Sequence, residues 1–256
     1  MGRQFDFNCD MGESFGAYTL GLDAEIIRHV TSANIACGFH AGDPRWMRTT
    51  VRLAEAHGVG VGAHPGFPDL AGFGRRNLAA SPDQVKTDIL YQIGALTAFT
   101  SARRLQHVKP HGALYNMAVG GGSIARAIGE VILEFDPSLI LVTLAGSPWA
   151  AESAAMGLRV AREVFADRAV NPDGTLVSRS KPGAVLHDES EVIERSLRLV
   201  TEGRVTAIDG STIDVEANTI CLHGDTPGAV VLAARLAERL RAAGIELVPL
   251  GRMIEI

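Results

Sequence analysis

The sequence predicts a parallel α/β barrel. Short runs of apolar or β-branched residues recur along the chain, and polar loops and amphipathic helices separate them. Strands that alternate with helices indicate βα units and a parallel sheet. The length of 256 residues suits this fold, because α/β barrels commonly reach about 250 residues as one domain. We therefore expect a single β/α-barrel domain over residues 1–256.

Seven segments carry the strand pattern, each short enough for one strand of a globular protein. In chain order they are Gln4–Asn8, Ser32–Cys37, Val59–Ala63, Leu105–Lys109, Leu139–Leu144, Leu158–Val164 and Thr219–Leu222. Seven parallel strands of this kind are enough to close a barrel.

Capping residues mark the helices between the strands. Asp43 stands before Pro44, the usual order of an N-cap and a first helical residue. Ser81 and Gln84 have the spacing of a capping box, and the helix they open is predicted to run towards Arg103.

The last third of the chain adds two helices and one segment that departs from the alternation of strands and helices. A helix is expected over Glu189–Glu202, ended by Gly203, and a last long helix opens at Asp225–Pro227. Between them, residues 204–217 alternate around an Asp-Gly pair, which predicts a β-hairpin inserted before the last barrel strand.

The composition excludes several classes of protein. There are 24 Lys and Arg against 29 Asp and Glu, a net charge of −5, and this argues against nucleic-acid binding, which needs a basic surface. No apolar run approaches the roughly 20 residues of a membrane span, and Arg3 and Asp6 interrupt any signal peptide. Cys9, Cys37 and Cys221 cannot all pair, so we expect reduced thiols and a cytoplasmic location.

Ionisable side chains follow six of the seven predicted strands. In chain order the candidates at these strand ends, with the amide of Asn8, are Asp10, Glu13, His40, His64, Lys109, His111, Glu163, Arg168 and His223. The carboxyl ends of parallel barrel strands meet at one rim, where such folds build active sites. We therefore expect these side chains to surround one pocket.

The residue types leave two chemistries open. A carboxylate, a histidine and a lysine suit hydrolysis of an amide or ester, with an acid–base group and a cation for the oxyanion. A carboxylate and two imidazoles equally suit a mononuclear metal site. Other polar residues have plainer interpretations: Asp43 and Asp225 as helix caps, and His107 as a structural histidine.

Six blocks of sequence together resemble the LamB/YcsF family. They are residues 6–13, 33–44, 62–69, 108–115, 163–168 and 221–225. The resemblance implies the seven-stranded β/α barrel of the glycoside hydrolase/deacetylase superfamily. It also implies a subunit of 5-oxoprolinase, which opens the lactam of 5-oxo-L-proline to L-glutamate with hydrolysis of ATP, and which needs Mg²⁺ with its ATP and two partner subunits.

Under this resemblance each candidate takes a role. We expect Asp10 or Glu13 to activate water, Lys109 to hold a phosphate or oxyanion, and His64 and His111 to shuttle protons. The remaining candidates are expected to bind substrate: Asn8, His40, Glu163, Arg168 and His223.

Two alternatives remain at this stage. One is a stand-alone metal-dependent amide hydrolase or carbohydrate deacetylase, with Asp10, His40 and His64 as metal ligands. The other is a non-catalytic scaffold protein that organises its partners. An ATP-coupled route activates the lactam by itself, so a transition metal is less needed under the 5-oxoprolinase interpretation.

Overall fold

The computed structural model describes residues 2–224 and 228–254. In chain order its strands are β1 (Arg3–Met11), β2 (Ser32–Ala36), β3 (Gly60–His64), β4 (His107–Val108), β5 (Ile140–Leu144), β6 (Arg159–Phe165), β7 (Arg204–Thr206), β8 (Thr212–Asp214), β9 (Thr219–Leu222) and β10 (Ile245–Leu247). Strands β1 to β6 and β9 pair in parallel in that order, and β9 pairs again with β1. The predicted seven-stranded β/α barrel is confirmed. Strands β7 and β8 form an antiparallel hairpin outside it.

The helices lie outside the barrel strands. They are α1 (Asp23–Ile26), α2 (Pro44–Ala56), α3 (Pro82–Thr97), α4 (Gly112–Ala118), α5 (Ser123–Phe135), α6 (Pro148–Ala155), α7 (Glu189–Glu202), α8 (Ala229–Ala242) and α9 (Leu250–Met253). In the part of the chain that the structure describes, none of these helices has the length and apolar character that a membrane crossing requires.

The predicted caps at α2 and α3 are confirmed. The Asp43 carboxylate accepts hydrogen bonds from two backbone N–H groups of the first turn of α2, and Ser81 and Gln84 make both bonds of a capping box. Helix α3 ends at Thr97, before the predicted Arg103, because the Thr100 hydroxyl replaces helical hydrogen bonds: it donates to the Thr97 carbonyl and accepts from the Arg104 N–H. The proposed cap Asp225 lies outside the described residues.

Three strands differ clearly from expectation. Strand β4 covers only His107–Val108 of the predicted Leu105–Lys109. Strand β1 runs on to Met11 because residues 6–9 pair with β9 and residues 8–11 pair with β2, so it holds both sides of the closure. Strand β10 was not predicted; it is three residues long and pairs with the start of β1. Below it, Leu250 of α9 packs with Ile140 and Val142 at the amino end of the barrel.

The alternation of β1 separates an apolar layer from a polar one. Phe5 and Phe7 point outward into the main hydrophobic core, whereas Asp6, Asn8 and Asp10 share the opposite, inward face. The barrel interior therefore contains hydrogen-bonded polar side chains below the rim.

These interior side chains form a connected network. Asp6 accepts from Ser32 and Thr219, and Asn8 donates to Thr219 at 2.6 Å. The network continues through Asn34, which donates to Asn8 at 2.7 Å and whose carbonyl oxygen lies 2.7 Å from His107 Nε2. His107 is thus a buried, hydrogen-bonded residue of the barrel interior, in keeping with the structural role predicted for it.

Candidate functional site

A cavity of about 650 Å³ opens at the carboxyl ends of the barrel strands. Seven of the ten predicted site residues line it: Asp10, Glu13, His64, Lys109, His111, Arg168 and His223. The other three, Asn8, His40 and Glu163, are almost fully buried behind its wall. All ten therefore lie at the rim or directly beneath it, as barrel geometry predicts.

Lys109 is the centre of the charged part of this wall. Its ammonium lies 2.9 Å from Asp10 Oδ1 and 2.8 Å from Glu163 Oε1, and it also donates to Asn8 Oδ1 at 3.3 Å. Burial by itself lowers the pKa of the lysine, but the carboxylates of Asp10 and Glu163 raise it well above its ordinary value. Lys109 is a permanent buried cation, and Asn8 and Glu163 position it from behind.

Asp10 stands between this cation and an imidazole. Burial tends to raise the pKa of its carboxyl, but His64 and Lys109 hold it well below the ordinary value. His64 Nε2 lies 3.3 Å from Asp10 Oδ2. Asp10 is therefore ionised, and its carboxylate lies at the cavity surface.

Three imidazoles and one carboxylate are grouped beside Asp10. Glu13, His40, His64 and His111 each offer a ligand atom, and these atoms lie within 4.8 Å of one another. The rings of His40 and His111 stack with centroids 3.8 Å apart and an interplanar angle of 1°. A buried set of this composition could hold a divalent metal ion.

Glycines allow the backbone to bring these rings together. Gly112, directly after His111, has φ +55°, and a Cβ there would lie 2.6 Å from the carbonyl oxygen of Gly74. At Gly66, a Cβ would lie 2.6 Å from His40 Nδ1. Both positions need the close approach that only glycine permits.

This group and the metal ligands predicted from the sequence share two residues, His40 and His64. The group adds Glu13 and His111 and leaves out Asp10. Asp10 instead pairs with Lys109 because it is the last inward-facing carboxylate of β1. Glu13 follows Gly12, whose φ of +69° turns the chain after the strand.

A second imidazole–carboxylate pair lies across the cavity. His223 Nδ1 is 2.9 Å from Asp167 Oδ2, and His223 Nε2 is 3.1 Å from an Arg179 nitrogen. Burial tends to raise the pKa of Asp167, but His223 holds it below its ordinary value. The His223 ring also stacks on Phe165, with centroids 5.8 Å apart.

Three guanidinium groups face the same cavity: Arg75, Arg168 and Arg179. Arg168 is anchored through hydrogen bonds to the carbonyls of Val177 and Ala184. Sequence reasoning missed Arg75, although its place in the glycine-containing loop after β3 is a usable signal. Planar guanidinium groups favour carboxylates and phosphates.

The comparisons with known proteins agree with this architecture. The sequence profile of the LamB/YcsF family matches residues 5–255. A relative from Pyrococcus furiosus, whose name gives it as one subunit of a 5-oxoprolinase, is 56% identical over 252 residues, 98% of this chain and 99% of the relative.

Solved structures show the same relationship. The crystal structure of a lactam utilization protein from Thermus thermophilus has a TM-score of 0.90 and 50% identity, covering 96% of this chain and 99% of that one. The catalytic domain of a peptidoglycan N-acetylglucosamine deacetylase from Eubacterium rectale has a TM-score of 0.51 and 12% identity, covering 98% and 89%. This second likeness is one of fold alone. Because the family profile and a relative of more than half identity both cover almost its whole length, this chain belongs to the LamB/YcsF family.

Proposed function

We propose that this chain is a subunit of a 5-oxoprolinase and that its cavity is where the lactam ring of 5-oxo-L-proline is opened to L-glutamate. The names of the relatives indicate the substrate. The observation that carries the chemistry is the buried Lys109 ammonium held between Asp10 and Glu163 in the cavity wall. A fixed cation in a site of low dielectric stabilises the negative charge of the phosphoryl group, or of the ring oxygen, as water attacks the lactam carbon.

We further propose that two partner subunits supply the ATP chemistry, with Mg²⁺ bound to the nucleotide. The sequence has no phosphate-binding loop of the GxxxxGK[ST] type. A lactam is a resonance-stabilised amide and a poor electrophile. Transfer of the γ-phosphoryl group to the lactam oxygen, with release of ADP and loss of the N–H proton, makes the ring carbon reactive.

The size and charge of the cavity support a phosphorylated substrate. Pockets of about 300–1,000 Å³ hold drug-sized ligands, and the 650 Å³ found here exceeds what the small lactam needs. The guanidinium groups of Arg75, Arg168 and Arg179 in its wall suit a phosphoryl group.

Ring opening then requires protons in two places. Water adds to the ring carbon that bears the phosphorylated oxygen, and Asp10 takes a proton from this water. Loss of phosphate from the resulting tetrahedral carbon would only restore the lactam, so the ring nitrogen must be protonated for the C–N bond to break. His223, with Asp167 behind it, is the pair we assign to this proton transfer.

The product of that step is γ-glutamyl phosphate, and a second water releases glutamate and phosphate. One ATP and two waters thus give L-glutamate, ADP and phosphate. In this scheme His64 and His111, which were predicted to shuttle protons, transfer none.

Reconstitution tests the proposal. The purified chain should release glutamate from 5-oxoproline only with its two candidate partner subunits, ATP and Mg²⁺. Robust ATP-dependent release by this chain alone would overturn the division of labour. Glutamate formation by the partners at the same rate with and without this chain would overturn its place in the reaction.

The group of three histidines and Glu13 favours one second candidate, a stand-alone metal-dependent amide hydrolase or carbohydrate deacetylase. Turnover of acetylated amino sugars or simple amides by the metal-loaded chain without ATP would support it. The buried charged cluster in a deep cavity supports either enzyme over a non-catalytic scaffold.

A further inference from the structure

We propose that Glu13, His40, His64 and His111 form a binding site for one divalent first-row transition-metal ion, with the ligand chemistry that zinc prefers. This inference goes beyond the ring-opening proposal and does not depend on which substrate the cavity takes.

The hydrogen bonds of two rings fix where their protons are. His64 Nδ1 lies 2.6 Å from the carbonyl oxygen of Lys109, and His111 Nε2 lies 2.8 Å from the carbonyl oxygen of Phe73. A carbonyl oxygen only accepts, so each of these nitrogens carries a hydrogen and donates it. In the neutral rings, His64 Nε2 and His111 Nδ1 therefore hold lone pairs.

These two lone pairs point at each other. His64 Nε2 and His111 Nδ1 are 2.9 Å apart, a distance at which one of them should donate. Two acceptors at this distance repel unless a metal ion lies beside them or a second proton on one ring lies between them, and His64 Nε2, 3.3 Å from Asp10 Oδ2, is where that proton would sit. Metal-ligating histidines characteristically donate their other ring N–H to a backbone carbonyl or carboxylate, as both of these do.

His40 supplies a second, independent observation. Its ring is fully buried, and neither ring nitrogen has a hydrogen-bond partner among the described residues. A buried polar group without a partner destabilises the fold and calls for an explanation such as a bound ion. Nδ1 packs close to Gly66, whereas Nε2 lies 3.9 Å from Glu13 Oε1 and is free to ligate.

Glu13 adds one negative charge and one oxygen ligand to the three imidazoles. Three neutral imidazoles with one carboxylate match the nitrogen and oxygen ligands of zinc and its neighbours, not those of Mg²⁺ or Ca²⁺. Beside the set, the Asp10 carboxylate lies 3.3 Å from His64 Nε2 and is held by the Lys109 ammonium at 2.9 Å. An ion held here would act as a Lewis acid at the cavity wall next to Asp10.

Metal binding by the purified full chain tests the site without any activity assay. The protein is stripped with a chelator, reloaded separately with Zn²⁺, Mn²⁺, Fe²⁺, Co²⁺ and Ni²⁺, and analysed for metal content and by calorimetric titration with Zn²⁺. We expect one ion per chain for at least one metal. Content far below one per chain for all five would overturn the proposal in favour of a proton shared between His64 and His111.

Variants locate the ion. Glu13→Gln and His40→Gln should each weaken Zn²⁺ binding at least about 100-fold, since loss of even an outer-shell partner costs 10–100-fold. His223→Gln, an imidazole of the same cavity outside the set, is the matched control and should bind as wild type. Asp10→Asn should keep the one-to-one stoichiometry. Loss of the ion in Asp10→Asn with retention in Glu13→Gln would overturn the ligand set, and circular dichroism confirms that each variant is folded.

Discussion

The ammonium of Lys109 lies 2.8 Å from the carboxylate of Glu163, and the two side chains are 3% and 0% exposed. Removing one partner of a buried ion pair leaves an uncompensated charge and typically costs about 3–5 kcal/mol. We expect Lys109→Met to lower the free energy of unfolding by about this amount, and Glu163→Gln in the same chain to restore part of it. Denaturant unfolding measures both.

The surface pair of Lys86 and Glu130, also 2.8 Å apart, is the matched control. Lys86→Met should change stability by about 1 kcal/mol or less, because exposed ion pairs contribute little. Equal losses of stability in Lys109→Met and Lys86→Met would show that burial does not determine how much the Lys109–Glu163 pair contributes to stability.

Asp10→Asn should lower glutamate formation by the reconstituted complex on the order of 10²–10⁴-fold, the usual contribution of an acid–base group. The amide keeps the shape of the side chain but cannot accept the proton of water. Asp188→Asn is the control, because the Asp188 carboxylate caps α7 and Asn caps helices as well as Asp does. Normal turnover in Asp10→Asn would remove this residue from the chemistry.

Asp167→Asn tests the pair that we assign to protonation of the leaving nitrogen. His223 then loses the carboxylate that lies 2.9 Å from its Nδ1 and orients the ring, and we expect the rate to fall about 10²-fold or more. Asp188→Asn, at the N-cap of α7, should leave the rate unchanged. Rates are compared across pH in the reconstituted complex, and an unaltered profile in Asp167→Asn would contradict the assignment.

Gly62→Ala should destabilise the barrel severely. A Cβ at Gly62 would lie 2.0 Å from His107 Nε2, and that ring is held by Asn34 inside the closed barrel. Overpacking typically costs about 1–3 kcal/mol and rises when neighbours cannot move. Gly94→Ala in α3 has open space around it and should stabilise by about 0.5–1 kcal/mol. Thermal unfolding of both variants measures the two changes in stability.

Asp6 predicts a pH dependence of stability. Burial raises the pKa of its carboxyl from 3.8 to about 6. The pKa of Asp6 is higher in the folded chain than in the unfolded chain. Protonated Asp6 therefore stabilises the fold below about pH 4, and this stabilisation is lost as the pH rises through about 6. The shift corresponds to about 3 kcal/mol.

Asp6→Asn removes that titration. Between pH 4 and pH 8, the stability of the wild type relative to the variant should therefore fall by about 2–3 kcal/mol. Urea unfolding at several pH values gives the difference, in which the other titrating groups cancel. A constant difference across this range would contradict the raised pKa.

The barrel and the location of the site were predictable because both depend on local patterns. Strand runs, capping residues and polar residues at strand ends are read directly from neighbouring positions. Strand β10 was not predictable in this way, since three residues acquire strand character only by pairing with the distant start of β1.

The grouping within the site was harder to predict for the same reason. The positions of Asp10 and Glu13 after β1 place both carboxylates at one rim, but these positions do not predict which carboxylate pairs with Lys109. That depends on the inward face of β1 for Asp10 and on the turn at Gly12 for Glu13. The facing nitrogens of His64 and His111 depend on the backbone carbonyls of Lys109 and Phe73, each of which comes from a different loop than the histidine it contacts.

The amino end of the barrel, where β10 and α9 pack, also has a practical consequence. Gly2 lies beside Gly244 there, and the carbonyl of Ile254 accepts a hydrogen bond from Arg159 at the start of β6. Both described ends of the chain are thus on the face opposite the cavity. The Arg252 side chain of α9 is exposed on this face, so a label or surface linkage attached at that position will leave the rim accessible, and the chain can be immobilised for binding measurements with its cavity facing the solution.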